Sequence, residues 1–139
     1  MKRIKPVTGP VFTSGKRKRA IARARMSPGK GTVRINDQLL EVMRNELVRL
    51  RIQEPLVLAG ETWKGQDIHV HVQGGGIMGQ ADAARQAIAR GLVLLYPDLK
   101  ERFLAYDRFL IAHDPRRTET HKPPRSSQGA RRGKQKSKR

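Results

Sequence analysis

Between Lys16 and Met26 the chain reads KRKRAIARARM, and polar and apolar positions alternate. Ala20, Ala22, Ala24 and Met26 fall on one face of an extended strand, while Arg17, Arg19, Ile21, Arg23 and Arg25 fall on the other. One sheet face is then apolar and its reverse nearly all arginine. SPGKG, Ser27 to Gly31, reads as a turn, and TVRIN beyond it buries Val33 and Ile35 with Arg34 outward. The two runs are expected to pair as a hairpin with Lys30 at its tip. Further along, DIHVHV sets Ile68, Val70 and Val72 on one face of a strand and His69 and His71 on the other.

Helical spacing takes over between and after these runs. Asn45 is placed to cap a helix through ELVRLRIQ, which should end before Pro55 because the residue preceding a proline is pushed away from helical angles. PLVLAG then reads as a short apolar connector. Ala84, Ala87, Ile88, Gly91, Leu92 and Leu95 form one apolar stripe, and Leu99, Phe103, Tyr106 and Leu110 form a second after Pro97. Two amphipathic helices of this kind cover one sheet face. Gly91 in mid-helix costs about 1 kcal/mol relative to alanine, so close packing is expected there.

Periodicity also divides the chain. Residues 1–14 are expected to form an irregular basic lead with Pro6, Gly9 and Pro10, residues 15–112 a globular α/β domain, and residues 113–139 an extended basic tail. The tail is rich in Pro, Gly, Ser and Lys/Arg and has too few apolar side chains to order itself. From Pro115 to Arg139 it has 25 residues and, at about 3.3 Å each when extended, reaches roughly 80 Å.

Charge changes the picture most. The chain has 30 Lys plus Arg against 12 Asp plus Glu, a formal net charge of +18. Residues 1–30 hold 10 basic and no acidic side chains, 31–111 hold 10 of each, and 112–139 hold 10 basic and 2 acidic. A neutral body with two cationic ends is the signature of a polyanion partner. Neither end has an amphipathic helix with large apolar anchors, which argues against a membrane surface, and no apolar run approaches a spanning length. With no apolar leader at Met1 to Phe12 either, the protein is expected to be soluble and unexported.

Catalytic and cofactor chemistry finds little support. There is no cysteine, hence no disulfide, thiolate metal site or cysteine nucleophile. Gly74, Gly76 and Gly79 in GGGIMG fit G-x-G-x-x-G between a strand and a helix, yet no second strand follows with an acidic residue for a ribose. The reading favoured is a tight structural turn, Gly74 to Gly76 reversing the backbone and Gly79 and Gln80 starting the helix. Neither Gly15-Lys16 nor Gly29-Lys30 is followed by Ser or Thr, which excludes a phosphate-binding P-loop. His69 and His71 share a face without enough ligands for a metal, and Asp98, Glu101 and Asp107 read as helix-surface charge. No enzyme, cofactor, metal or small-molecule substrate is expected. The aromatics, Phe12, Trp63, Tyr96, Phe103, Tyr106 and Phe109, are few and mostly helical, so base stacking on an aromatic sheet is not expected. Phosphate contacts are then the main mode of binding. A free-standing architectural nucleic-acid binder would have the same charge signature.

Three stretches narrow this further. SGKRKRAIARARMSPGKGTVRIN, then GGGIMGQADAARQAIARGL, then the terminal KSKR, in that order, closely resemble the family of universal small-subunit ribosomal protein number nine in its archaeal and eukaryotic branch. The resemblance implies an α+β two-layer sandwich, a mixed sheet covered by helices, similar to the second domain of ribosomal protein number five with a left-handed βαβ crossover. It implies a cytoplasmic, ribosomal location in the small-subunit head, on the 3′ major domain of the rRNA and beside other head proteins. Lys16, Arg17, Lys18, Arg19, Arg23, Arg25 and Lys30 in the body, and Arg116, Arg117, Arg125, Arg131, Arg132, Lys134 and Lys136 in the tail, are the expected rRNA-binding set. The resemblance also implies that Ser137, Lys138 and Arg139 are the tip that touches peptidyl-site tRNA. Lys138 stands where this branch often has an aromatic residue, which implies a phosphate contact there instead of stacking.

Overall fold

The computed structural model describes residues 9–121. Strands β1, Val11–Arg17, and β2, Ala20–Pro28, are antiparallel partners joined through Lys18, whose φ of +52° makes the reversal. The single strand expected from Lys16 to Met26 is thus two arms of a hairpin. Alternation holds within each arm, but a turn of lysine and arginine lacks the Gly, Asn or Asp that announces such a reversal in sequence. β1 also starts four residues ahead of the expected domain boundary at Gly15, with Val11 buried in the core.

The next strands are β3, Val33–Ile35, and β4, Gln38–Leu39, followed by helix α1, Glu46–Ala59, strand β5, Gln66–Gln73, and helices α2, Ile77–Leu95, and α3, Leu99–Tyr106. The mixed sheet runs β1-β2-β5-β3-β4, with β5 antiparallel to β2 and parallel to β3. β5 therefore occupies the place where the hairpin between β2 and β3 was expected. The loop between them crosses the end of β5, where the Asp67 carboxylate accepts the Lys30 and Thr32 backbone N–H groups at 2.9 and 3.1 Å. Those N–H groups, Thr32's foremost, hold the Asp67 carboxyl below the usual carboxylate range. Turn residues state that the chain bends; they do not state beside which strand it lands.

One face of this sheet is covered. Val11, Ala20, Ala22, Ala24, Met26, Val33, Ile35, Ile68, Val70 and Val72 are buried on it, and α2 lies across β1, β2 and β5 with α1 packed against it. Small side chains on both layers let them come close. A Cβ added at Gly15 would collide with the backbone of α2 at Ala83 and Ala87, so β1 and α2 touch main chain to main chain there. Thr13 Oγ1 donates to the Ala87 carbonyl at 2.8 Å one residue pair along. At Gly91 an added Cβ would meet the flexible end of Met26 at 2.5 Å and Thr13 Oγ1 at 3.2 Å, a tight but side-chain contact.

Two helix limits differ from the sequence expectation. Asn45 does cap α1, its Oδ1 accepting the Val48 N–H at 3.4 Å, but the helix continues through Pro55 to Ala59 and absorbs the expected connector. An interior proline costs about 3 kcal/mol through the lost bond and the clash with the carbonyl four residues back. Pro55, Leu56 and Ala59 are all buried, and that packing outweighs the local preference. α2 begins at Ile77, with Gly76 as its cap and Gly79 already in the first turn. Ala84, Ala87, Ile88, Gly91 and Leu92 are buried as their stripe predicts, and Leu95 is half-buried. In the second stripe Leu99, Phe103 and Leu110 are buried, the last from a 3₁₀ turn at Arg108–Leu110, whereas Tyr106 ends α3 exposed.

Candidate nucleic-acid interface

Among the described residues no helix covers the other face of the sheet, and its composition follows from the alternation. Cross-strand register places Arg23 between Ser14 and His71, Arg25 between Phe12 and His69, and Arg34 across from His69. No acidic residue sits at a cross-strand position beside these arginines. Lys16 stands on the same face of β1. Arg23, Arg25, Arg34, His69 and His71 surround a shallow trough of about 320 Å³ with Asn36 and Asp37 at one side. Phe12, expected to lie in the irregular lead, stands at the margin of this trough 69% exposed, with the Arg25 guanidinium 6.0 Å from its ring centre. Lys18 and Arg19 extend the cationic surface beyond the hairpin end of β2, and Lys30 lies exposed past the opposite end.

Arg17 does not belong to this face. Its register with Ala20 turns it toward the helix layer, where its side chain is only 16% exposed. Its Nε lies 3.6 Å from Asp114 and 4.0 Å from Asp82, and its Nη1 donates to the Arg116 carbonyl at 2.8 Å. The hairpin turn at Lys18 is the reason: a reversal shifts which residues of β1 share a face with those of β2.

Arg17 joins a network that the sequence did not announce. Arg85, 4% exposed in the middle of α2, reaches Glu54 of α1 at 2.6 Å through Nε and Asp107 at 2.9 Å through Nη2. Arg51 holds Asp82 at 2.8 Å, and that bond is the main cause of its raised pKa. Burial favours the neutral acid at Asp107, but the Phe109 N–H and Arg85 outweigh it and keep the carboxyl below its usual range. Asp107 is thus a half-buried ion-pair partner, not the helix-surface charge expected of it. Asp114, 6% exposed, accepts the Arg116 N–H at 3.1 Å and both Nε and Nη2 of its guanidinium, and this fork depresses the Asp114 carboxyl strongly. The first residues after the body are therefore tied to β1 through Asp114. Arg116 is committed to that tie and to the Phe109 ring, 5.7 Å away, while Arg117 is exposed. Arg125, Arg131, Arg132, Lys134, Lys136, Ser137, Lys138 and Arg139 lie outside the described residues.

The glycine turn sits under the hairpin tip. Gly74 and Gly75 have φ of +76° and +65°, and a Cβ at either would press on the backbone of Arg19 or Ala20 at 2.7 and 2.9 Å. Gln80 Nε2 donates back to the Gly74 carbonyl at 3.0 Å. At Gly76 there is open space and an extended φ, and at Gly79 only ordinary contact, so the backbone demand rests on the first two glycines. Among the described residues no cluster of three or more His, Asp or Glu could hold a metal, and no helix is long and apolar enough to cross a membrane.

With this geometry in view, comparison with known proteins is direct. The family model for ribosomal protein S9/S16 matches residues 15–139. The chain belongs to that family. It is 47% identical over 129 residues to the small ribosomal subunit protein uS9 of Methanococcus maripaludis, covering 91% of this chain and 96% of that protein. The uS9 protein of Methanococcus vannielii matches with the same identity and coverage. The family is one of ribosomal structural proteins, not enzymes, and both of these relatives are archaeal. Within it, sequence reasoning missed Phe12, Arg34 and the Arg85 network. Arg34 could have been found from its outward position in TVRIN, and Phe12 only by extending the alternation backward from Gly15.

Proposed function

We infer that the chain is a structural constituent of the small ribosomal subunit that binds ribosomal RNA through the open face of its sheet. The observation that carries this is the pairing of arginines with histidines across β2, β5 and β3 with no carboxylate at a cross-strand position beside the arginines. Arginines gathered on one face in this way carry charge that no cross-strand carboxylate offsets, and phosphates neutralise it while releasing counterions. Family membership and the uS9 relatives support the ribosomal setting, in the cytoplasm.

In this reading the open face, with Lys16, Lys18, Arg19 and Lys30 around it, lies on the 3′ major domain of the small-subunit rRNA, beside other head proteins. Arg117 and the tail cations Arg125, Arg131, Arg132, Lys134 and Lys136 follow an RNA channel, and Ser137, Lys138 and Arg139 reach the peptidyl-site tRNA. Residues 115–139 support this with 10 basic side chains and one acidic. Arg17 and Arg116 act at the tail root, fixing where it leaves the body. The likeness to the second domain of ribosomal protein number five, with its left-handed βαβ crossover, belongs to the same reading. It is supported by the sequence resemblance and by β3 and β5 running parallel as neighbours connected through α1.

Sedimentation of cell lysate at moderate salt tests the whole. The full chain is expected to migrate with the small subunit and to lose that position after RNase treatment. A chain lacking residues 137–139 should migrate normally yet lower peptidyl-site tRNA affinity or reading-frame fidelity. Migration in a ribosome-free fraction bound to duplex DNA would contradict the reading, and unaltered tRNA binding and fidelity would remove the role of the tip.

A further inference from the structure

We propose that Phe12 is a stacking platform for one unpaired RNA base, with Arg25 closing the ring's cationic side and Arg23 and Arg34 taking the adjoining phosphates. The proposal rests on the reading of the open face as an RNA surface and adds to it a base-contacting site.

Phe12 is a large apolar side chain held out of the core by strand alternation, since its neighbours Val11 and Thr13 point into the helix layer. An aromatic ring 69% exposed gains nothing in the free protein from burial. It is nevertheless positioned: its cross-strand partner is Arg25, whose guanidinium lies 6.0 Å from the ring centre, so the ring is ordered as a cation–π partner before any ligand arrives. β1 is an edge strand, and Phe12 stands at a corner between two hollows. On one side is the trough with Arg23, Arg34, His69, His71 and Asp37; on the other a hollow in which Arg90 and Lys100 stand beside Val93, Leu94 and Ile111. A strand of RNA rounding this corner meets cations before and after the ring.

That arrangement selects the occupant's chemistry. A protein partner anchoring an apolar side chain on Phe12 would strip water from the surrounding guanidinium groups without pairing them, which is costly. An RNA strand offers the ring a π-face and the arginines phosphates in one ligand. A base inside a duplex is already stacked on both faces, so the ligand is a base from a loop, bulge or single strand. Stacking of this kind tolerates any base, and sequence preference is expected to be weak.

The experiment compares the full chain with Phe12→Ala, Phe12→Tyr and Phe12→Trp. Binding is measured across a salt series to a transcript of the small-subunit rRNA 3′ major domain, and to a fully paired RNA duplex. Thermal unfolding midpoints should agree for all chains because Phe12 is exposed. Phe12→Ala is expected to weaken transcript binding by about tenfold without changing its salt slope, because the arginines keep their phosphates. Phe12→Tyr and Phe12→Trp should stay within about twofold of the parent. The fluorescence of Phe12→Trp, corrected for the parent's Trp63, should be quenched by the transcript and not by the duplex. Unchanged affinity in Phe12→Ala, or equal losses on transcript and duplex, would overturn stacking. Arg23→Ala and Arg34→Ala separate the two levels: if these leave the salt slope unchanged, the RNA reading of the face falls and the base site with it.

Discussion

Gly75 shows how much one residue can decide. Its φ of +65° lies in the left-handed region, and an added Cβ would sit 2.9 Å from the Ala20 nitrogen and 3.0 Å from the Ala20 Cβ at the hairpin tip. Both faults act on Gly75→Ala, the backbone strain alone costing about 1–2 kcal/mol. Urea unfolding should show at least that loss, whereas Gly76→Ala, in open space, should lose a few tenths at most. Equal stability of the two variants would mean that the turn relaxes freely. From sequence the run of glycines was legible as a turn, but which glycines bear the strain was not, because that depends on Arg19 and Ala20 arriving from another part of the chain. Phe12 and Arg17 were misread for a related reason: their facing depends on a reversal at Lys18, a residue type that gives no turn signal.

Elements are held to one another by charge as well as by the core. Arg85 joins α2 to Glu54 on α1 and to Asp107 after α3, and Asp114 joins the tail root to Arg17 on β1. Asp114 is a carboxylate whose folded pKa is depressed, chiefly by the Arg116 side chain. Its contribution to stability is then present above the unfolded carboxylate value of about 3.9 and lost as pH falls through the folded value. Asp114→Asn should therefore be less stable than the parent at pH 7, and the difference should shrink in melts at pH 3 and below. A difference independent of pH would assign the loss to packing instead. The apolar stripes of α2 and α3 made the helices legible, and the alternation of DIHVHV did the same for β5. The partners of Arg85 were hidden, because spacing along one helix says nothing about which acid another element brings to it. Pro55 was misjudged because buried neighbours in α1 outweigh the local rule.

For the whole molecule, the division of charge seen in the sequence is also a division of surfaces. A core of small and branched side chains lies between sheet and helices, ion pairs neutralise the helix side, and cations without acidic cross-strand neighbours remain on the open face. The two-layer class and the polyanion partner were readable from alternation and net charge. Strand order was not, because β5 enters between β2 and β3 from more than thirty residues later in the chain. That insertion sets His69 and His71 among the arginines of the open face. The most direct measurement is the salt dependence of binding to a small-subunit rRNA head-domain transcript, for the full chain and for the triple variant Arg23→Ala, Arg25→Ala, Arg34→Ala. Removing one cation from a phosphate should lower the slope of log K against log salt by about 1, so the triple variant should fall by about three while remaining folded. An unchanged slope would mean that the open face of the sheet does not lie on RNA.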